Sequence, residues 1–135
     1  MNMTTFDIFN THGEQVFRDF EMKTLDELST REPSLVSCGG GIVLREENRA
    51  VLSQRGYTVY LKVSVEEAAG RIDDISTRPL FNDIESANKI IASRLPLYEE
   101  VADVVIDTAG KSVNRISSEL QSILLKEGIL CQTQK

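Results

Sequence analysis

The stretch SLVSCGGGIVL, Ser34–Leu44, sets three consecutive glycines directly behind a short apolar run. Such a run reads as a buried strand opening into a tight loop, because glycine adopts φ > 0 freely and leaves its N–H groups uncovered. A bare loop of that kind can hold an anion. The same pattern also suits a plain turn or bulge, so the neighbouring segments must choose between the two.

Upstream, Thr4–Leu28 is helical in pattern, with Phe6, Phe9, Val16, Phe17, Phe20, Leu25 and Leu28 at three- and four-residue intervals and a break near His12–Gly13. Downstream, REENRAVLSQRG (Arg45–Gly56) reads as a helix closed by Gly56 at the C′ position, and YTVYLKV (Tyr57–Val63) as a strand. VEEAAGRI (Val65–Ile72) is a short helix, RPL (Arg78–Leu80) breaks the pattern, and DIESANKIIASRL (Asp83–Leu95) resumes a helix. DVVIDT (Asp103–Thr108) makes a third strand, and SVNRISSELQSILLKEG (Ser112–Gly128) an amphipathic terminal helix. Strands separated by helices imply βαβ units, hence an α/β fold with a parallel sheet covered by helices on both faces.

The composition narrows the function. The 135 residues are 41% hydrophobic and 27% charged, consistent with a single globular domain over 1–135. A net charge of −6 argues against a nucleic-acid partner, and the sequence contains no long apolar run that would seat it in a membrane. Cys38 and Cys131 are too few and too far apart for a disulfide framework or zinc site; a reduced, cytoplasmic setting is expected, with Cys38 a small buried side chain. No metal-ligand cluster is apparent. His12 is expected to be exposed at a helix break, Asp7 to be a first-turn helix acid, and Asp103 and Asp107 to be solvated strand ends.

In open parallel sheets ligands bind beyond the carboxyl ends of the strands, where Gly39, Gly40 and Gly41 are expected. Four arginines could share that place: Arg18, Arg71, Arg78 and Arg94. Arg18 stands out, because Glu21 three residues on can fix its guanidinium and Phe17 and Phe20 flank it, an arrangement suited to gripping a carboxylate. Arg78 precedes a proline, which turns its backbone away from helix.

Taken in order, DIFNTHGEQVFRDFE (Asp7–Glu21), the glycine triplet, TRPL (Thr77–Leu80) and RLPLYEEVADVVIDT (Arg94–Thr108) resemble the shikimate kinase family over nearly the whole chain. The resemblance implies a three-layer P-loop kinase fold and ATP-dependent phosphorylation of the shikimate 3-hydroxyl, in chorismate and aromatic amino-acid biosynthesis, by a monomeric enzyme. It implies that Arg18 and Arg94 clamp the shikimate carboxylate, that Glu21 orients Arg18, and that Phe9, Phe17, Pro79 and Leu80 wall the ring. It further implies that Gly39, Gly40 and Gly41 face substrate and γ-phosphate, that Arg71 stacks on adenine, and that Arg78 is the catalytic lid arginine, also touching the nucleotide.

The sequence departs from the family pattern in one large respect. It contains no G-x-x-x-x-G-K-[ST] loop for the ATP phosphates, and no early Asp-x-Asp pair for magnesium and the substrate hydroxyl. The expectation is therefore a partial domain missing the family's first two strands, inactive as a kinase by itself. A shikimate-binding module without catalysis, or a related small-molecule P-loop kinase, are the alternatives.

Overall fold

The computed structural model describes residues 3–70 and 84–131. Helices α1 (Thr5–His12) and α2 (Glu14–Ser29) form the expected pair. Thr4 starts α1 with a capping box: its hydroxyl accepts from the Asp7 N–H, and the Asp7 carboxylate accepts from the Thr4 N–H, each at 3.1 Å. Those hydrogen bonds hold the Asp7 carboxyl below its ordinary pKa. His12 is exposed at the end of α1, and Gly13, at φ 86°, makes the break that folds α1 back on α2. The Phe9 and Phe17 rings meet across it at 5.9 Å.

Beyond α2 the expectation fails. Residues 34–38 form no strand and donate or accept no backbone hydrogen bond among the described residues, and Leu35 is 92% exposed. A strand exists only by its ladder, and here no neighbour supplies one. Cys38 is exposed with this segment rather than buried. The glycines then wind into a short 3-10 turn, Gly40–Leu44, opened by the Ile42 N–H bonding back to the Gly39 carbonyl.

Helix α3 (Glu46–Arg55) follows. Gly56 does not close it in a left-handed conformation; it is extended, at φ −153°. Strand β1 (Val59–Lys62), helix α4 (Val65–Gly70), helix α5 (Ile84–Val101), strand β2 (Val104–Asp107) and helix α6 (Val113–Lys126) complete the described elements. Helix α5 runs past Leu95, straight through Pro96. The ring removes the bond to the Ala92 carbonyl, but Ala92 and Pro96 are both exposed, where water can take that carbonyl.

Strands β1 and β2 pair in parallel, Val59 opposite Val104 through Lys62 opposite Asp107. The sheet is two strands wide among the described residues, where three separate strands were expected. Asp103 and Asp107 are exposed at the ends of β2, and their carboxylates accept from the N–H groups of Thr58 and Ala109. Leu25, Val43, Val65, Ala87, Val101 and Ile106 form the core, joining α2, the glycine turn, α4, α5 and β2. No described helix is long and apolar enough to cross a membrane.

Candidate substrate-binding site

Two arginines far apart in sequence meet at the glycine turn. Arg18, on α2, is only 7% exposed. Its Nη1 donates to Glu21 Oε2 at 2.6 Å and its Nη2 reaches Glu14 Oε1 at 3.5 Å, while its Cζ lies 5.0 Å from the Phe17 ring centroid. The expected Arg18–Glu21 pairing is therefore present, and Glu14 adds to it. Nε of Arg18 is buried without a hydrogen-bond partner.

Arg94 comes from α5 and is likewise 7% exposed, yet no carboxylate among the described residues pairs with it. The two guanidiniums flank the turn. A Cβ added to Gly41 would sit 2.7 Å from Arg18 Cζ; one added to Gly40 would sit 2.7 Å from the Tyr98 hydroxyl and 4.0 Å from Arg94 Nη1. Gly41 and Gly40 are thus bare because side chains of this chain occupy the space a Cβ would need. Gly39 meets nothing within 4 Å.

Helix spacing could have exposed the two residues that the sequence reading passed over. Glu14 stands four before Arg18, and Tyr98 four after Arg94, so each shares a helix face with its arginine. Tyr98 donates its hydroxyl to the Gly40 carbonyl at 2.9 Å and packs its ring on Tyr60 of β1, with centroids 5.1 Å apart. Arg71, Arg78, Pro79 and Leu80, the expected adenine, lid and ring-wall residues, lie outside the described residues.

The sequence model of the shikimate kinase family matches residues 1–125. The chain belongs to the shikimate kinase family. A shikimate kinase of Dehalococcoides mccartyi is 36% identical over 121 residues, covering 88% of this chain and 69% of the relative. One from Streptococcus gordonii is 35% identical over 127 residues, covering 91% and 79%. Among solved structures, a shikimate kinase from Acinetobacter baumannii in complex with shikimate superposes with a TM-score of 0.86 at 31% identity, covering 92% of this chain and 71% of that one. The fold is accordingly that of the P-loop kinases, helix-rich around a small parallel sheet, and the family is one of phosphotransferases that use ATP.

The shikimate kinase cofactors are another matter in this chain. Among the described residues there is no group of three or more His, Cys, Asp or Glu side chains placed to hold a metal ion. The sequence has no phosphate-cradling Gly-rich Lys-Ser/Thr loop.

Proposed function

We propose that this chain carries the shikimate-binding site of a cytoplasmic shikimate kinase, with the shikimate carboxylate held between Arg18 and Arg94 beside the glycine turn. The observation that carries the reading is Arg94. A guanidinium so nearly buried, with no paired carboxylate among the described residues, is costly unless an anion joins it. Arg18, by contrast, has its charge countered by Glu21 and Glu14 and offers a fixed, partly apolar platform over Phe17. One fork held rigid and one awaiting an anion suit a planar carboxylate. The solved Acinetobacter baumannii shikimate kinase is a complex with shikimate, which supports the ligand.

In the family reaction the γ-phosphoryl group of ATP would pass to the substrate 3-hydroxyl oxygen, with ADP leaving as the β–γ bridge breaks and the hydroxyl proton released to water. MgATP supplies the phosphoryl group. This chain's part is to bind the ring and orient it, with Phe9 and Phe17 as the described apolar wall. Arg71 and Arg78 are proposed for the nucleotide side, with Arg78 the catalytic cation, and Pro79 and Leu80 for the ring wall. Gly39, with open space beside it, is the glycine whose surroundings suit a ligand.

Isothermal titration with shikimate tests the reading. The chain should bind, and Arg18→Ala or Arg94→Ala should weaken binding by roughly 2 to 5 kcal/mol, the range for truncating one side of a buried charge pair. A coupled ATPase assay on the same chain should show no shikimate-dependent turnover, since phosphoryl transfer depends on a Gly-x-x-x-x-Gly-Lys-Ser/Thr phosphate cradle that does not occur in this sequence. Undiminished binding by both variants would remove the clamp. Turnover near ~1 s⁻¹, at the low end for kinases, would overturn the claim of inactivity.

A further inference from the structure

We infer that Tyr98 is a positioning residue of this site: its hydroxyl sets the glycine turn against the arginine pair, and so governs affinity for the anion without touching it. The inference rests on the carboxylate-clamp reading above.

Tyr98 combines two contacts with a position beside Arg94. Its hydroxyl donates to the Gly40 carbonyl at 2.9 Å, from a residue 58 positions away. Its ring packs on Tyr60, so that the oxygen is carried by a body braced on β1. It also stands one helical turn after Arg94 on α5, so the same stretch of helix that delivers a guanidinium to Gly40 delivers the donor that fixes Gly40.

The close approach shows how tightly the turn is set. The hydroxyl lies where a Gly40 Cβ would be only 2.7 Å from it, so the turn and the phenol are in contact along the backbone itself. Gly41, next in the chain, is packed just as closely on Arg18. A shift of Gly40 therefore moves the surface on which Arg18 rests. Tyr98 is the link by which the positions of Arg94, on α5, and Arg18, on α2, are referred to one another across the turn.

The test is removal of one oxygen. Tyr98→Phe keeps the ring and its packing on Tyr60 but loses the bond to Gly40. Tyr60→Phe is the matched control, since no hydrogen bond of the Tyr60 hydroxyl enters the argument. In titration with shikimate, Tyr98→Phe should bind about 3- to 10-fold more weakly than the parent, the size of one neutral hydrogen bond, with Tyr60→Phe unchanged. In amide spectra of the ligand-free protein, Tyr98→Phe should shift the Gly41 resonance, whose nitrogen shares the peptide group of the Gly40 carbonyl, together with the Arg18 and Arg94 side-chain Nε signals. A purely structural role would lower the melting temperature without changing affinity or the arginine signals.

If the parent binds shikimate and Tyr98→Phe binds equally well, Tyr98 loses its positioning role while the clamp stands. Equal weakening in both variants also overturns the proposal, because the effect would then belong to the tyrosine stack. If the parent fails to bind, the clamp falls and this proposal with it.

Discussion

Gly39 and Gly41 are two positions apart and place opposite demands on a substituent. Gly39 has φ −71°, ψ 155°, a conformation open to any residue, and nothing within 4 Å of an added Cβ. Gly39→Ala should therefore raise stability by about 0.4–1 kcal/mol, by restricting the unfolded chain. Gly41→Ala would drive a methyl to 2.7 Å from Arg18 Cζ and push the guanidinium off Glu21, at a cost of roughly 1–3 kcal/mol. Urea denaturation of the two variants checks both signs; a Gly41→Ala protein as stable as the parent would show that Arg18 is free to move. Cys38 offers a pH readout of the same corner. Although the residue is exposed overall, burial about its thiol, and secondarily the Glu21 carboxylate, raise its pKa above the ordinary thiol value. A raised pKa means less thiolate at a given pH. The alkylation rate followed by mass spectrometry should thus rise with a midpoint above the usual ~8.5. Glu21→Gln should lower that midpoint only in part, the larger cause being burial; no change would place Glu21 too far away to act. At this scale the sequence was informative where spacing along one helix sufficed, as for Arg18 and Glu21. It places Tyr98 on the helix face of Arg94 but says nothing of its partner Gly40, which is reached only through the tertiary fold.

Helices were legible because their signals are local. Thr4 and Asp7 mark the start of α1, Gly13 breaks it, and the apolar spacing carries α2 to Ser29. The segment 34–38 was misread because an apolar run reports only a tendency to pair, and pairing needs a neighbour that no local pattern specifies. The helix expected to end at Leu95 errs in the other direction: α5 continues six positions further, through Pro96, whose stranded carbonyl partner is exposed. Helix α6 gives the prediction at this scale. None of its residues is fully buried, so its stability leans on its ends, where the Ser112 hydroxyl accepts from the Arg115 N–H at 3.2 Å. Ser112→Ala should cost about 1 kcal/mol, while Ser112→Asp, which keeps an acceptor and adds favourable charge at the helix start, should restore it. Thermal melts followed by far-ultraviolet circular dichroism compare the three; equal midpoints would mean α6 frays independently of its cap.

Over the whole molecule, composition and charge limited the class of protein, and the ordered motifs led to the shikimate kinase family that the comparisons bear out. What they could not convey is how narrow the described sheet is. Thr58 and Lys62 turn their carbonyls toward β2, accepting from the N–H groups of Asp103 and Thr108. By the alternation of a parallel ladder Tyr60 faces β2 as well, whereas Val59 and Leu61 point their N–H groups to the opposite edge, where the described residues place no strand. In heavy water the two kinds of amide should part company: Tyr60 keeps its proton until the sheet opens, and Leu61 gives its proton up at nearly the rate of an unstructured peptide. Adjacent residues thereby become a width gauge for the sheet. Any strand that came to lie along the free side, from whatever source, would be recorded as a slowing at Leu61 with Tyr60 left as it was.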